Sequence, residues 1–283
     1  MKSLLASLML LILVASCATG PKPVVHMSES EINIELVHLS GVINNVDAVS
    51  LGIETTLSQK LKEQKLDPQV AQILKEAMVS NFNRETLLTP IVESMAKELS
   101  LQEKKDVLSF YRTPTGQHVA MMDNFINTDQ GQDNFQQWLV WMSTEKKQLT
   151  KDEIDFARDV AVYSGAMHAT METMTAVTLG ILSGINSTFP KAQQLKESDL
   201  QKQKEMIKEK LADQIAPIVV LTCHYSYSAL KPENKKDFLT FLKTGPGRKY
   251  VRVTAGAISS SFGIAASKAG KDLLRGLASV EKK

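Results

Sequence analysis

Apolar residues recur three or four positions apart along most of this chain, which is the spacing of one face of an α-helix. Two such sets are Val70, Ile73, Leu74 and Met78, and then Val107, Leu108 and Tyr111. The sequence contains no sustained alternation of apolar and polar residues and no hairpin signal, so strands are not indicated. The pattern predicts an all-α protein, a helical bundle.

Several helix starts can be placed because they carry a capping pattern. In a capping box, a Ser or Thr side chain and a Glu three residues later accept hydrogen bonds from backbone amides that the helix leaves unpaired. Three pairs have this spacing: Ser28 with Glu31, Ser100 with Glu103, and Thr150 with Glu153. Asp67 and Thr113 each precede a proline, a residue that favours the first position of a helix. These caps predict where five of the helices begin.

The chain also repeats itself. Residues 104–113 return as residues 235–244, an offset of 131, and at the same offset Gly116 matches Gly247. Two upstream matches keep the same order: residues 89–92 with 216–219, and residues 48–53 with 176–181. Three ordered matches predict two homologous helical halves, residues 28–148 and 149–283.

The best-matched segment resembles a known family. Residues 110–117, Phe-Tyr-Arg-Thr-Pro-Thr-Gly-Gln, preceded by Leu-Gln-Glu at 101–103, are similar to the signature of the bacterial family called domain of unknown function 2059. The second half departs from this signature, with Leu242 for the tyrosine, Gly-Pro-Gly at 245–247 and Arg248 for the glutamine. The resemblance implies helical domains in envelope proteins, and it implies no chemistry.

Two interpretations of the segment around Thr113 stay open. It is a structural corner between two helices, with Gly116 and Gly247 allowing close approach and Phe110 and Tyr111 in the core. Alternatively, the amides at the start of the helix after Thr113 hold an anion.

The N-terminal residues predict where in the cell the protein is located. Lys2 precedes an apolar stretch over residues 4–14, and the stretch ends in Val-Ala-Ser-Cys at 14–17. Small residues directly before Cys17 resemble the lipobox of bacterial lipoproteins. The resemblance implies removal of residues 1–16 as a signal peptide and acylation of Cys17 by diacylglycerol and further chains such as palmitate, which together anchor a protein stably in a membrane. An ordinary cleaved signal and an uncleaved transmembrane anchor are the alternatives, although the stretch is short for a span.

The segment after the anchor reads as a tether. Residues 17–27 comprise the lipidated N-terminus and a short Gly- and Pro-containing linker, which works against helix. Ala18 stands where Gram-negative lipoproteins of the inner membrane often carry aspartate. We therefore expect a lipid-anchored protein of the bacterial cell envelope that faces the periplasm, with the outer membrane favoured.

Composition narrows the choice of partner and compartment. The 267 residues after the signal carry 32 basic and 31 acidic side chains, a balance that argues against nucleic acid. Cys223 is the only cysteine besides Cys17, so no disulfide forms within the mature chain. With 43% hydrophobic but only 6% aromatic residues, the core is predicted to be aliphatic and rich in methionine.

Candidate chemistry is sparse. His168 and Glu172 share a helix face, but no further ligand lies at the spacing of a metal site. Cys223 and His224 are neighbours, and adjacent side chains on a helix diverge too far for a nucleophile and its base, so Cys223 is interpreted as a small buried hydrophobe. No phosphate-binding loop, dinucleotide fingerprint or serine-hydrolase elbow is present. We predict no enzyme, no metal and no cofactor.

Two further stretches carry expectations about burial. Residues 160–182 have Glu172 as their only charge, which fits either a membrane span or, with the polar residues it contains, a central buried helix; we favour the helix. Trp141 lies off the apolar stripe of Phe135, Trp138, Leu139 and Met142. It is therefore either buried between the halves or exposed to a partner or bilayer.

The function predicted from these features is a non-enzymatic lipoprotein that acts as a helical interaction module. Its partners would be membrane lipid, through acylated Cys17, and an unidentified envelope protein. The alternative is a carrier or sensor of an apolar ligand held between the halves, in a cavity lined by methionines. The methionines considered for that cavity are Met121, Met122, Met167, Met171 and Met174.

Overall fold

The computed structural model describes residues 26–63 and 67–280, and most of these residues are helical, with no strand among them. The first seven helices are α1 (Glu29–Leu39), α2 (Val42–Glu63), α3 (Pro68–Asn81), α4 (Arg84–Glu98), α5 (Leu101–Tyr111), α6 (Pro114–Ile126) and α7 (Asp129–Thr144). The others are α8 (Lys151–Tyr163), α9 (Ala166–Asn186), α10 (Glu197–Tyr227), α11 (Pro232–Lys243) and α12 (Gly245–Val280), with a short 3-10 helix at Lys191–Gln193. The all-α prediction is confirmed.

All five predicted caps are present. Each of the three capping boxes has both of its hydrogen bonds. At Ser100 the backbone amide donates to Glu103 Oε2 over 2.7 Å, and the amide of Glu103 donates to Ser100 Oγ over 3.3 Å. Asp67 and Thr113 cap α3 and α6 ahead of their prolines. Local side-chain chemistry therefore fixes where these helices begin.

The corner at Thr113 is structural, and it is built again at Thr244. Thr113 Oγ1 donates to the carbonyl of Phe110 over 2.7 Å and accepts from the amide of Gly116 over 3.0 Å. Thr244 makes the same two bonds, of the same lengths, to Phe241 and Gly247. A Cβ on Gly116 would lie 2.1 Å from the Phe110 carbonyl oxygen. Both glycines are therefore required by close backbone approach.

A third corner of the same kind joins α6 to α7. Thr128 Oγ1 donates to the carbonyl of Phe125 over 2.7 Å and accepts from the amide of Gly131 over 3.0 Å. The three corners share the pattern Phe-x-x-Thr-x-x-Gly. The pattern at Phe125 was missed from the sequence because it lies outside the repeat.

The two predicted halves share one core. The rings of Phe110 and Phe241, which are equivalent in the repeat, stack face to face with centroids 3.8 Å apart and planes within 2°. One continuous cluster of buried side chains runs from Leu36 through Val107 and Cys223 to Ala269. That the halves are homologous stays a prediction.

Helices α9 and α12 pack unusually closely. A Cβ on Gly180 would lie 2.5 Å from the Gly263 carbonyl oxygen, and a Cβ on Gly184 would lie 2.0 Å from that of Ser267. Contacts move from Gly180 and Gly263 to Gly184 and Ser267 along the two helices, so the helices run in the same direction. α9 packs on α12 and also contacts α10 and α8, yet only Thr175 and Gly184 in it are buried and its other residues are half-buried or exposed. The expectation of a central buried helix was therefore wrong.

A buried lysine joins α1, α4 and α5. The Lys104 side chain is 1% exposed, and its Nζ lies 2.6 Å from Glu29 Oε1 and 2.9 Å from the carbonyl oxygen of Ala96. Ala96 is in the last turn of α4, where carbonyls lack helical partners and a cation is favoured. The equivalent Lys235 instead lies over the ring of Phe156 on α8, 5.1 Å from its centroid.

No single helix within residues 26–63 and 67–280 has the length and apolar composition to cross a bilayer, although the successive segments Glu29–Leu39 and Val42–Thr55, bent by 51°, have both when taken together.

Candidate ligand-binding groove

An open groove of about 770 Å³ lies where α7, α8, α9 and α10 meet, and we call it the apolar groove. Its lining is mostly aliphatic, with two cationic side chains. The residues are Met142, Lys147, Gln148, Leu149, Ile154, Arg158, Val162, Met167, Ala216, Pro217, Val220 and Leu221. Pro217 lies inside α10 and matches Pro90 in the repeat. A proline there donates no backbone hydrogen bond and adds apolar surface.

Two smaller cavities adjoin the apolar groove. One, of about 370 Å³, is the methionine cleft, lined by Met167, Met171, Ile215 and neighbouring residues. The other, of about 340 Å³, is the arginine pocket, which contains Tyr163, His168, Arg248 and Arg252. Val162 borders all three cavities and is 53% exposed, a large fraction for an apolar side chain at such a junction.

The arginine pocket lies at the start of α9. Gly165 precedes that helix with φ of 63°, and no side chain caps it, unlike the helices with Ser, Thr, Asn or Asp caps. Arg248 and Arg252 are one turn apart on α12, and neither forms an ion pair within the described residues. Uncapped amides and two guanidinium groups make this pocket electropositive.

The carboxylate in this pocket is neutralised. Glu172 Oε1 accepts a hydrogen bond from Lys208 Nζ over 2.5 Å, which lowers the pKa of Glu172. His168 lines the same pocket and is exposed. Over the described ranges, no three His, Cys, Asp or Glu side chains gather as metal ligands. His168 and Glu172 therefore sit in a cavity wall.

Cys223 and His224 do not form a dyad. Burial raises the pKa of the Cys223 thiol to about 12, so it holds its proton and is a weak nucleophile at neutral pH. His224 stacks on Trp138 with centroids 5.6 Å apart, and burial lowers its pKa. The interpretation of Cys223 as a buried hydrophobe is in accord with its 7% exposure.

A buried polar cluster was missed from the sequence. Tyr227 Oη donates to Asp123 Oδ1, joining α10 to α6. Burial raises the pKa of Asp123 to about 6 and that of Tyr250 to about 12. The partners are 104 residues apart, so no spacing rule points to them.

The Asp123 carboxyl makes stability depend on pH. Its pKa rises from 3.8 to about 6 on folding, so between these pH values the folded state binds a proton that the unfolded state has lost. The stabilisation that this protonation gives is present at low pH and is lost as pH rises through about 6. We expect Asp123→Asn to be more stable than wild type by about 1–3 kcal/mol at pH 7.5, and nearly equal at pH 4. Urea unfolding at both pH values measures this. A difference that does not change with pH would contradict it.

Neither a family model, nor a curated protein, nor a solved structure matches this chain. The resemblance to domain of unknown function 2059 therefore stays a prediction.

The other predicted residues lie in several places. Cys17, residues 1–16 and most of the tether lie outside the described residues. Met167 and Met171 line the methionine cleft, whereas Met122 packs on the core and Met121 and Met174 are exposed. Trp141 is 47% exposed, so its burial between the halves is ruled out. The Thr113 hydroxyl accepts a hydrogen bond from the amide of Gly116, which is the interaction expected of a structural corner.

Proposed function

We propose that this protein is a lipid-anchored, non-enzymatic lipoprotein of the bacterial envelope that binds a partner protein through helix α7. The anchor is acylated Cys17, and the outer membrane is favoured by Ala18. The observation that supports a partner surface is the exposure of two large apolar side chains on the outer face of α7: Val140 is 66% and Trp141 47% exposed.

That face is held rigidly from behind. Phe135 and Trp138 on the inner side of α7 pack against Tyr225 of α10, with centroids 5.3 and 5.4 Å away. An exposed tryptophan beside a valine on a fixed helix has the character of a binding hot spot, since aromatic anchors dominate protein interfaces. The unreactive thiol of Cys223 and the ion-paired Glu172 support a role in binding rather than catalysis.

The test compares three full-length proteins expressed in a bacterial host: wild type, Cys17→Ser and Val140→Glu. We expect wild type in the membrane fraction with a stoichiometric protein partner after gentle extraction and native mass spectrometry. Cys17→Ser should abolish acylation and processing, so that residues 1–16 stay attached, because the thiol that would carry the diacylglycerol is absent. Val140→Glu should keep the anchor and lose the partner, because a charge in an interface core is costly.

The outcomes separate the two parts of the proposal. Unchanged processing of Cys17→Ser would refute lipidation. A partner that stays bound to Val140→Glu would refute the α7 surface. The valine is exposed, so the substitution is expected to leave folding intact.

A second candidate function, carriage of an apolar ligand, is favoured by the apolar groove. Its volume of about 770 Å³ lies within the range of small-molecule sites. Met142 and Met167 in its wall can adapt to an irregular ligand.

A further inference from the structure

We infer that the apolar groove and the arginine pocket together bind one long-chain fatty acid, with its carboxylate at Arg248 and Arg252 and its chain along the groove. The inference rests on the second candidate function, ligand carriage, and not on the anchor or the α7 surface.

The three cavities adjoin one another and share lining residues. Val162 borders the arginine pocket, the methionine cleft and the apolar groove. Gly165 and His168 are shared by the pocket and the cleft, and Met167 and Ala216 are shared by the cleft and the groove. A chain whose head lies in the pocket therefore passes Val162 and continues over methionine and aliphatic side chains.

The charges at the head of the path select an anion. Arg248 and Arg252 are exposed, and the planar guanidinium group matches a carboxylate in a bidentate geometry. Two carboxylates lie near them: Glu172 lines the same pocket and pairs with Lys208, whereas Glu98 lines a separate cavity with Arg252 and accepts a hydrogen bond from Ser94 Oγ over 2.6 Å. The uncapped start of α9 adds to the positive potential.

Both ends of the path are needed to choose the ligand. A free phosphate would satisfy the arginines and leave the apolar groove to water. An uncharged chain would fill the groove and leave two cations unpaired. The walls of the arginine pocket also include Val251 and Ala255, so the first part of the chain meets apolar surface as well. A single-chain carboxylic acid meets both demands.

The experiment labels the protein with a photoreactive fatty acid. Full-length protein in phosphatidylcholine nanodiscs is irradiated with a palmitic acid analogue that carries a diazirine, and labelled peptides are identified by mass spectrometry. We expect labels on segments that line the groove, around Leu149, Met167 and Val220. The alcohol of the same chain should label them far less.

Two matched pairs of variants test the head and the chain separately. Arg248→Gln with Arg252→Gln should lower labelling below saturation by about tenfold or more, because charge-assisted contacts are lost. The control, Lys268→Gln with Lys271→Gln, removes two exposed cations from the same helix and should change nothing. Val162→Trp should block the path by its bulk without adding a charge beside the arginines, whereas Ile34→Trp at an exposed position of α1 should label normally.

The results that would overturn the inference differ in what they leave standing. Equal labelling by the alcohol, or full labelling of the double arginine variant, overturns the carboxylate site and keeps ligand carriage. Labelling that is unchanged in Val162→Trp overturns the path. No label in the groove overturns carriage itself. A partner lost by Val140→Glu would survive all of these results, so the two proposals fail separately.

Discussion

Gly184→Ala is expected to destabilise the protein by about 3 kcal/mol or more. The added Cβ would lie 2.0 Å from the Ser267 carbonyl oxygen and 2.9 Å from the Lys271 amide nitrogen, and both are backbone atoms. Neither can move without moving α12, so the helix pair must separate. For a chain of this size the thermal midpoint should fall by about 6–12 °C, measured by circular dichroism.

Gly256→Ala on α12 is the matched control. A Cβ there meets nothing within 4 Å. Alanine lowers the entropy of the unfolded chain and favours helix, so this variant should gain about 0.5–1 kcal/mol. A similar loss in both variants would mean that glycine itself, and not the close approach of α9 to α12, sets the stability.

Lys104→Ala is expected to cost about 2–4 kcal/mol. It removes a fully buried aliphatic stem and the hydrogen bonds from Nζ to Glu29 and to the end of α4. Each buried methylene contributes about 0.8 kcal/mol, so most of the loss comes from the stem. Urea unfolding monitored by tryptophan fluorescence measures the change.

Two milder variants separate the contribution of the buried stem from that of the hydrogen bonds made by Nζ. Lys104→Met keeps the stem and should cost about 1 kcal/mol, the value of the lost hydrogen bonds. Glu29→Gln should cost less than about 1 kcal/mol, since the Glu29 side chain is 54% exposed and the amide still accepts a bond. If Lys104→Met were as unstable as Lys104→Ala, the ion pair and not the packing would be dominant.

Helix starts were predictable because their causes are local. Each capping side chain bonds to an amide two or three residues away, so the sequence around Ser28, Ser100 or Thr150 contains the whole interaction. The corner at Thr113 was predictable for the same reason, whereas the same local pattern at Thr128 was missed because it lies outside the repeat.

The predicted burial of α9 was wrong because a low charge does not require a helix to be central. Its small residues, such as Gly180 and Gly184, bury little side-chain surface and instead allow α12 to approach closely. The sequence shows these small residues, but not how much of the remaining helix surface its neighbours cover.

The grooves and the Asp123 cluster were beyond sequence reasoning because they are assembled from distant elements. Val162, Met167 and Ala216 come from three helices and meet only in the folded chain. The predicted methionine cavity lay between the halves, whereas Met167 and Met171 line a cleft whose residues all come from the second half. No sequence signal placed Arg248 and Arg252 beside the start of α9.

The stacked pair of Phe110 and Phe241 has a consequence for how the chain is made. Phe110 leaves the ribosome 131 residues before Phe241, so during synthesis its aromatic ring is exposed until the second half has been made. Contacts this distant in sequence slow folding, because a long loop must close before they form. The exposed surface around Phe110 is complementary to the second half of any copy of the chain. Exchange of halves between two nascent molecules is therefore the expected misassembly, and slow, dilute synthesis is its remedy.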